Sequence, residues 1–99
     1  MKLHIAGFLL VAFTPAALAL SDSELAMKSR GIILYNQFKA VSATPLLRIA
    51  AEAGDHEAQY YLAESLRQKN SYMNPEAKKW YEMAATQGDL YAMIHCLDE

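Results

Sequence analysis

Residues 77–92 read AKKWYEMAATQGDLYA, a pattern that predicts an amphipathic helix, a Gly-Asp turn and the start of a second helix. Displacing the chain by 34 residues places residues 46–58, LLRIAAEAGDHEA, over residues 80–92. The two segments share three alanines and the Gly-Asp turn. A period of about 20 to 50 residues is typical of helical hairpins stacked side by side. The sequence therefore predicts an all-α protein that contains a duplicated hairpin.

Two helices are predicted before the first Gly-Asp turn. Ser21 and Glu24 have the spacing of a capping box, which predicts the start of a helix that runs to about Asn36. Gly31 lies inside this helix, where glycine costs about 1 kcal/mol relative to alanine. We therefore expect another helix to approach the backbone closely at this position. Residues 38–41 are predicted to connect the two helices.

The second helix is predicted to begin at Ser42, a good cap, with Pro45 in its first turn, where a missing N–H does little harm. It is predicted to end at Gly54, because glycine tolerates the left-handed conformation at a helix C-terminus. Asp55 can then cap a third helix. Helices joined by so few residues fold back into an antiparallel hairpin.

The third helix is predicted to be amphipathic, with Tyr60, Glu64 and Arg67 pointing away from the core. Its inward stripe comprises Ala58, Leu62, Ser65, Leu66 and the aliphatic stem of Lys69. Asn74 and Pro75 follow as a helix cap and a first-turn proline. They predict a fourth helix, and the second Gly-Asp turn then begins a fifth.

The first 19 residues have the pattern of a cleavable signal peptide. Lys2 precedes an apolar run at residues 5–13 that is too short to span a bilayer, and small residues close the segment at Ala19. Cleavage there would leave residues 20–99 as one helical domain. We therefore expect a periplasmic or secreted protein with no stable membrane anchor.

Charge and cysteine content limit the kinds of partner. The 99-residue chain has 11 acidic and 9 basic residues and a net charge of −2, and no basic stripe that would neutralise nucleic-acid phosphates. Cys96 is the single cysteine, so an intermolecular disulfide is one interpretation. In the repeat register Cys96 overlays Leu62, where a thiol would instead pack as a small apolar group.

The repeated segment resembles the Sel-one-like repeat family, which is related to the tetratricopeptide repeats. The matching run is Ala-x-x-Trp-Tyr-x-x-Ala-Ala-x-Gln-Gly at residues 77–88. A departure is Phe38-Lys39-Ala40, which stands where the family commonly has a Gly-Asp-aromatic turn. The residues that match the repeat motif are Gly31, Tyr35, Gly54, Ala58, Leu62, Trp80, Tyr81, Ala84, Ala85, Gly88 and Ala92.

The resemblance implies a short right-handed α-solenoid of about five helices and about two repeats. Stable solenoids usually need about three repeats or more. We therefore expect the first and last helices to act as caps, or the chain to self-associate or to bind a partner.

No set of convergent groups predicts catalysis, a cofactor or a metal site. His56 and His95 occupy different repeat positions, so we expect them to be solvated or packed rather than to share a metal ion. Most carboxylates stand at helix starts, where they complement the helix dipole. The serines lack the context of a nucleophile elbow. The sequence therefore predicts a protein that is not an enzyme and has no catalytic residues.

The aromatic residues divide into two groups. Tyr61, Trp80 and Tyr81 are predicted to belong to the core. Other aromatic and charged side chains on the outer helix faces predict a partner-binding surface, because tyrosine and arginine are frequent in interface hot spots. An ordinary amphipathic exterior is the alternative. The predicted partner-binding residues are Tyr60, Glu64, Arg67 and Tyr91.

Two functions agree with this pattern. Exported proteins similar to Sel-one-like proteins include immunity proteins that block antibacterial lipase effectors of type VI secretion, which implies that this chain binds and occludes such a toxin. The alternative is a periplasmic scaffold that binds a sensor or an envelope protein. In both cases the partner is another protein.

Overall fold

The structure, a computed structural model, describes residues 19–70 and 73–97. These residues form five helices: α1 (Asp22–Asn36), α2 (Ala40–Glu52), α3 (His56–Asn70), α4 (Pro75–Thr86) and α5 (Leu90–Leu97). Consecutive helices pack against one another, and α1 also contacts α3. The predicted all-α architecture, a short solenoid of helical hairpins, is confirmed.

The predicted signal peptide, residues 1–19, lies outside the described residues except for Ala19. Within the described part of the chain, none of the helices combines the length and the apolar character that crossing a membrane requires.

One type of turn joins three of the helix pairs. Its central residue has a positive φ: 63° at Phe38, 103° at Gly54 and 94° at Gly88. In each turn the amide of the next residue donates to the carbonyl five positions earlier, at 2.9 to 3.2 Å. Glycine adopts this conformation without strain, whereas a residue with a Cβ does so at a cost of about 1–2 kcal/mol. Phe38 therefore takes the role of a glycine.

The predicted start of the second helix is wrong. Helix α2 begins at Ala40, after Lys39, whose side chain makes no capping hydrogen bond. Because the turn at Phe38 has the geometry of the glycine turns, the helix restarts two residues later and not at Ser42. Pro45 therefore lies inside α2, where it cannot donate to the carbonyl four residues earlier. That carbonyl belongs to an exposed residue, so water can satisfy it.

The other predicted helix starts are confirmed. Ser21 Oγ accepts from Glu24 N at 3.1 Å, and Ser21 N donates to Glu24 Oε1 at 2.9 Å, which completes the capping box of α1. Asn74 Oδ1 accepts from Ala77 N at 2.8 Å, with Pro75 in the first turn of α4. These local interactions satisfy amide groups that a helix leaves unpaired at its N-terminus.

The close approach predicted at Gly31 is also confirmed. A Cβ placed on Gly31 would lie 2.7 Å from Leu47 Cγ, inside van der Waals contact. Leu47 is fully buried on α2. Gly31 therefore brings the backbones of α1 and α2 together over this side chain.

The core consists mainly of alanines, with a few leucines and two large aromatic side chains. Trp80 and Tyr81 are both buried, as predicted. Alanines around them let the helix axes approach, while the two rings supply much of the buried apolar area. The other core residues include Ala43, Leu47, Ala50, Ala51, Ala58, Leu62, Ala63, Ala77, Ala84 and Ala92.

Candidate partner-binding surface

A buried carboxylate stands at the centre of the face shared by α1, α3 and α5. The predicted outward position of Glu64 is wrong, because only 8% of its side chain is exposed. The cover comes from helices that are far away in sequence: Tyr35 lies on α1 and His95 lies on α5. A helical pattern within α3 alone does not contain this information.

Four side chains from four helices converge on Glu64. Tyr35 donates its hydroxyl to Oε1 at 2.7 Å, and Tyr81 donates its hydroxyl to Oε2 at 2.5 Å. Arg67 Nη2 lies 3.2 Å and His95 Nε2 lies 2.9 Å from Oε2. Arg67 Nε also donates to the Tyr81 hydroxyl at 3.0 Å. We call these five residues the Glu64 network.

The network holds Glu64 as a carboxylate. Burial by itself raises the pKa of Glu64, but hydrogen bonds from Tyr81 and Tyr35, together with the positive charge of Arg67, outweigh burial and leave the pKa below its ordinary value. Burial and the Glu64 charge raise the pKa of both tyrosine hydroxyls, so each stays protonated as a donor. The network is therefore a charged, hydrogen-bonded junction between helices.

Aromatic rings form a continuous line across the same face. The ring of Tyr35 packs edge-on against Tyr61 at 5.5 Å between centroids, and Tyr61 packs edge-on against Tyr60 at 5.2 Å. Tyr60 in turn lies 5.8 Å from Tyr91 and 6.0 Å from His95. We call these five residues the tyrosine face. It extends from α1 over α3 to α5.

Contacts with buried residues hold the tyrosine face in place. The His95 ring stacks on Tyr81 with centroids 4.5 Å apart, and Tyr81 is buried beneath it. Tyr60 is partly buried and packs against the core, and burial beside the Glu64 charge raises its pKa to about 12. Tyr91 is 67% exposed at the outer edge.

A groove of about 410 Å³ opens beside the tyrosine face, at the N-terminal ends of α3 and α5. Tyr60, Tyr61 and Tyr91 form its aromatic wall. Its polar wall contains two groups of ionisable side chains, one around Lys28 and one around Asp89.

Ion pairs and a hydrogen bond connect the side chains of the polar wall. Lys28 Nζ lies 3.0 Å from Asp55 Oδ2 and 2.9 Å from Glu57 Oε1. His56 Nδ1 lies 2.8 Å from Asp89 Oδ2, so it links the two Gly-Asp turns. The polar wall therefore combines the positive charge of Lys28 with the carboxylates of Asp55, Glu57 and Asp89.

The structure places the four predicted partner-binding residues close together, but not all on the surface. Tyr91 is exposed, Tyr60 and Arg67 are partly exposed, and Glu64 lies beneath them. Sequence reasoning missed His95, for which either packing or solvation was expected. It packs, because it stacks on one aromatic ring and reaches Glu64. Whether these residues bind a partner stays a prediction.

Among the described residues there is no group of three or more His, Cys, Asp or Glu side chains placed to hold a metal ion. Comparison with known proteins finds no matching family model, curated protein or solved structure. The Sel-one-like assignment therefore stays a prediction, although the packed helical hairpins that it implies are the architecture observed.

Proposed function

We propose that this chain is a non-enzymatic protein-interaction module of the periplasm, and that it binds its partner through the tyrosine face. The observation that carries the proposal is the continuous line of aromatic rings over three helices, beside an open groove. Tyrosine supplies a large contact area at a low cost in conformational entropy, and it is enriched in binding hot spots.

The Glu64 network prepares this face for binding. It connects α1, α3, α4 and α5 through one carboxylate, so the rings are held in place before a partner arrives. Binding is tighter when few side chains have to be ordered on association, because ordering each side chain costs conformational entropy. A rigid, preformed face of this kind is suited to covering the surface of a folded protein with little change in shape.

The proposed partner is a secreted antibacterial effector of the lipase class. This part of the proposal comes from the resemblance to exported Sel-one-like proteins. The mechanism would be occlusion: the tyrosine face lies across the entrance to the active cleft of the toxin and excludes its lipid substrate. No chemistry is required of the chain.

Co-expression tests the proposal. Cells that produce a type VI lipase effector in their periplasm should lose viability, and co-production of the chain should restore it. The variant Tyr91→Ala should fail to protect, because it removes the most exposed ring of the tyrosine face. Met83→Ala is the matched control, since Met83 is an exposed apolar side chain on α4, and it should protect fully.

The outcomes separate the two parts of the proposal. Survival of effector-producing cells that lack the chain would overturn the immunity function. Full protection by Tyr91→Ala would overturn the role of the tyrosine face. Binding of a sensor or envelope protein, with no protection against the effector, would instead support the scaffold function.

A further inference from the structure

The described charged side chains separate between the two ends of the helix stack. Consecutive helices pack as hairpins and run in opposite directions, so α1, α3 and α5 start at one end and α2 and α4 start at the other. The first end carries the carboxylates of Asp22, Glu24, Glu52, Asp55, Glu57 and Asp89, and Lys28 lies among them. The second end carries the basic side chains of Lys39, Arg67, Lys69, Lys78 and Lys79, and Glu76 lies among them.

Contacts between helices show that the basic side chains share one end of the fold. Ser65 Oγ, on α3, donates to the carbonyl of Ala40 at the start of α2, at 3.0 Å. Lys39 directly precedes Ala40, and Lys69 lies one helical turn beyond Ser65. The cap of α4 also hydrogen-bonds to the last turns of α3. The fold therefore brings together lysines that are far apart in the sequence.

Two exposed apolar side chains lie at the same end. Phe38, in the turn between α1 and α2, is 83% exposed, and Val41, in the first turn of α2, is 69% exposed. The neighbouring lysines are exposed as well. We call the following residues the basic end: Phe38, Lys39, Val41, Lys69 and Lys79.

The stability of the fold does not explain the two residues of the turn. Phe38 has a positive φ, which strains a residue with a Cβ, and its exposed ring recovers little by burial. Lys39 is the N-cap of α2 but makes no capping hydrogen bond, and a positive charge at a helix N-terminus is unfavourable. Strained residues are often found at functional sites.

We propose that the basic end docks reversibly on an anionic lipid bilayer. The ring of Phe38 inserts at the boundary between headgroups and acyl chains, with Val41 beside it. Lys39, Lys69 and Lys79 contact the anionic headgroups. Apolar side chains flanked by lysines are typical of proteins that lie on a membrane, because burial and charge attraction then act together.

The composition of the basic end favours a lipid surface over an acidic protein. Lysine is depleted in protein–protein interfaces, whereas arginine is enriched. The cations of the basic end are lysines, and Arg67 nearby is engaged with Glu64 and Tyr81. The Phe38 ring projects from a turn, so it can enter a fluid bilayer without a preformed pocket.

This inference does not depend on the proposed function. The groove beside the tyrosine face lies at the N-terminal ends of α3 and α5, which is the opposite end of the stack. Docking through the basic end therefore leaves that groove accessible.

Co-sedimentation with lipid vesicles tests the proposal. One set of vesicles contains phosphatidylglycerol and phosphatidylcholine in equal parts, and the other contains phosphatidylcholine alone. We expect saturable binding to the anionic vesicles and none to the neutral ones. Added sodium chloride should weaken the binding, because salt screens the attraction between exposed charges.

Matched variants locate the docking surface. Phe38→Gly should weaken binding by at least about tenfold, and it should stay folded because glycine adopts a positive φ without strain. Lys69→Gln should weaken binding by about fivefold. Leu25→Ala removes an exposed apolar side chain near the acidic end, and Arg30→Gln removes an exposed charge in the middle of α1. Both controls should bind as the wild type does.

Insertion is measured with vesicles whose acyl chains carry bromine, which quenches tryptophan fluorescence on contact. Phe38→Trp should be quenched when it binds. Leu25→Trp should show only the signal of Trp80, which is buried and serves as the background measured in the wild type.

Several results would overturn the inference. They are the absence of saturable binding to anionic vesicles, equal binding to neutral vesicles, equal binding by Phe38→Gly and the wild type, and no quenching of Phe38→Trp above background. Binding to soluble poly-glutamate without binding to vesicles would also overturn it, and would assign the basic end to an acidic protein. None of these results bears on protection against an effector, so the proposed function is tested separately.

Discussion

Replacing Glu64 by glutamine keeps the shape of the side chain but removes the charge on which four helices converge. Glutamine would place its one acceptor oxygen at the position of Oε2, where Tyr81, Arg67 and His95 all lie within 3.2 Å. Its amide would then take the position of Oε1 and donate to the Tyr35 hydroxyl, which can accept. The variant therefore keeps the geometry of the network but replaces charge-assisted hydrogen bonds with weaker neutral ones.

The expected magnitude follows from these contacts. A hydrogen bond to a charged group contributes about 1.5 to 3 kcal/mol, and rearrangement of Arg67 toward water recovers part of the loss. We expect Glu64→Gln to lower the free energy of unfolding by about 2 kcal/mol at neutral pH. In a domain of this size about 1 kcal/mol corresponds to about 4–8 °C in Tm, so Tm should fall by about 10 °C.

The pH dependence supplies a second readout. The pKa of Glu64 is lowered in the folded state, so its ionised form stabilises the fold above the ordinary carboxylate range, and this stabilisation is lost as the pH falls through the folded-state pKa. The difference in stability between wild type and Glu64→Gln should be largest near neutral pH and should shrink as the pH falls below the ordinary carboxylate range.

Thermal and urea unfolding followed by circular dichroism measure both quantities. Glu82→Gln, at an exposed position on α4, is the control and should unfold as the wild type does. If Glu64→Gln does not fold, Tyr81→Phe removes one hydroxyl, which donates to Glu64 and accepts from Arg67, and should cost about 2 kcal/mol. A Glu64→Gln protein that melts within about 1 °C of the wild type at neutral pH would refute the reasoning.

Three further predictions concern stability and are checked by the same unfolding measurements. Trp80→Ala should cost about 3–5 kcal/mol and leave most of the chain unfolded, because Trp80 is buried in a small core; a cooperative transition near that of the wild type would contradict this. Gly31→Ala should destabilise by about 1–2 kcal/mol despite the better helix propensity of alanine, because its Cβ would meet buried Leu47 at 2.7 Å; a gain in stability would mean that Leu47 can move. Phe38→Gly should stabilise by about 1 kcal/mol, since it relieves a positive φ at a side chain that is 83% exposed; a loss would show that the phenylalanine ring contributes to the fold.

Local signals predicted most of the helix boundaries. The capping box at Ser21, the Asn74-Pro75 pair and the two Gly-Asp turns act within a few residues of where they occur, so a pattern in the sequence is sufficient to find them. The start of α2 was missed for a related reason. The turn before it has the same geometry, but Phe38 has replaced the glycine that would have marked it.

The candidate surface was predicted only in part. Tyr60, Glu64 and Arg67 lie on one face of α3, as their spacing indicates. What covers Glu64, however, is set by Tyr35 and His95, which lie about 30 residues away on either side. Burial of a carboxylate by helices so distant in sequence leaves no periodic signal in α3, because the residues that cover it do not belong to that helix.

Site-specific photo-crosslinking in the native host tests most directly whether the tyrosine face is where a partner binds. A photoreactive phenylalanine analogue is placed at position 91 in one strain and at position 83 in another, where exposed Tyr91 and Met83 normally stand. The account predicts a discrete adduct, heavier than the chain alone, from position 91 and none from position 83. An adduct from position 83 alone, or from neither position, would contradict it.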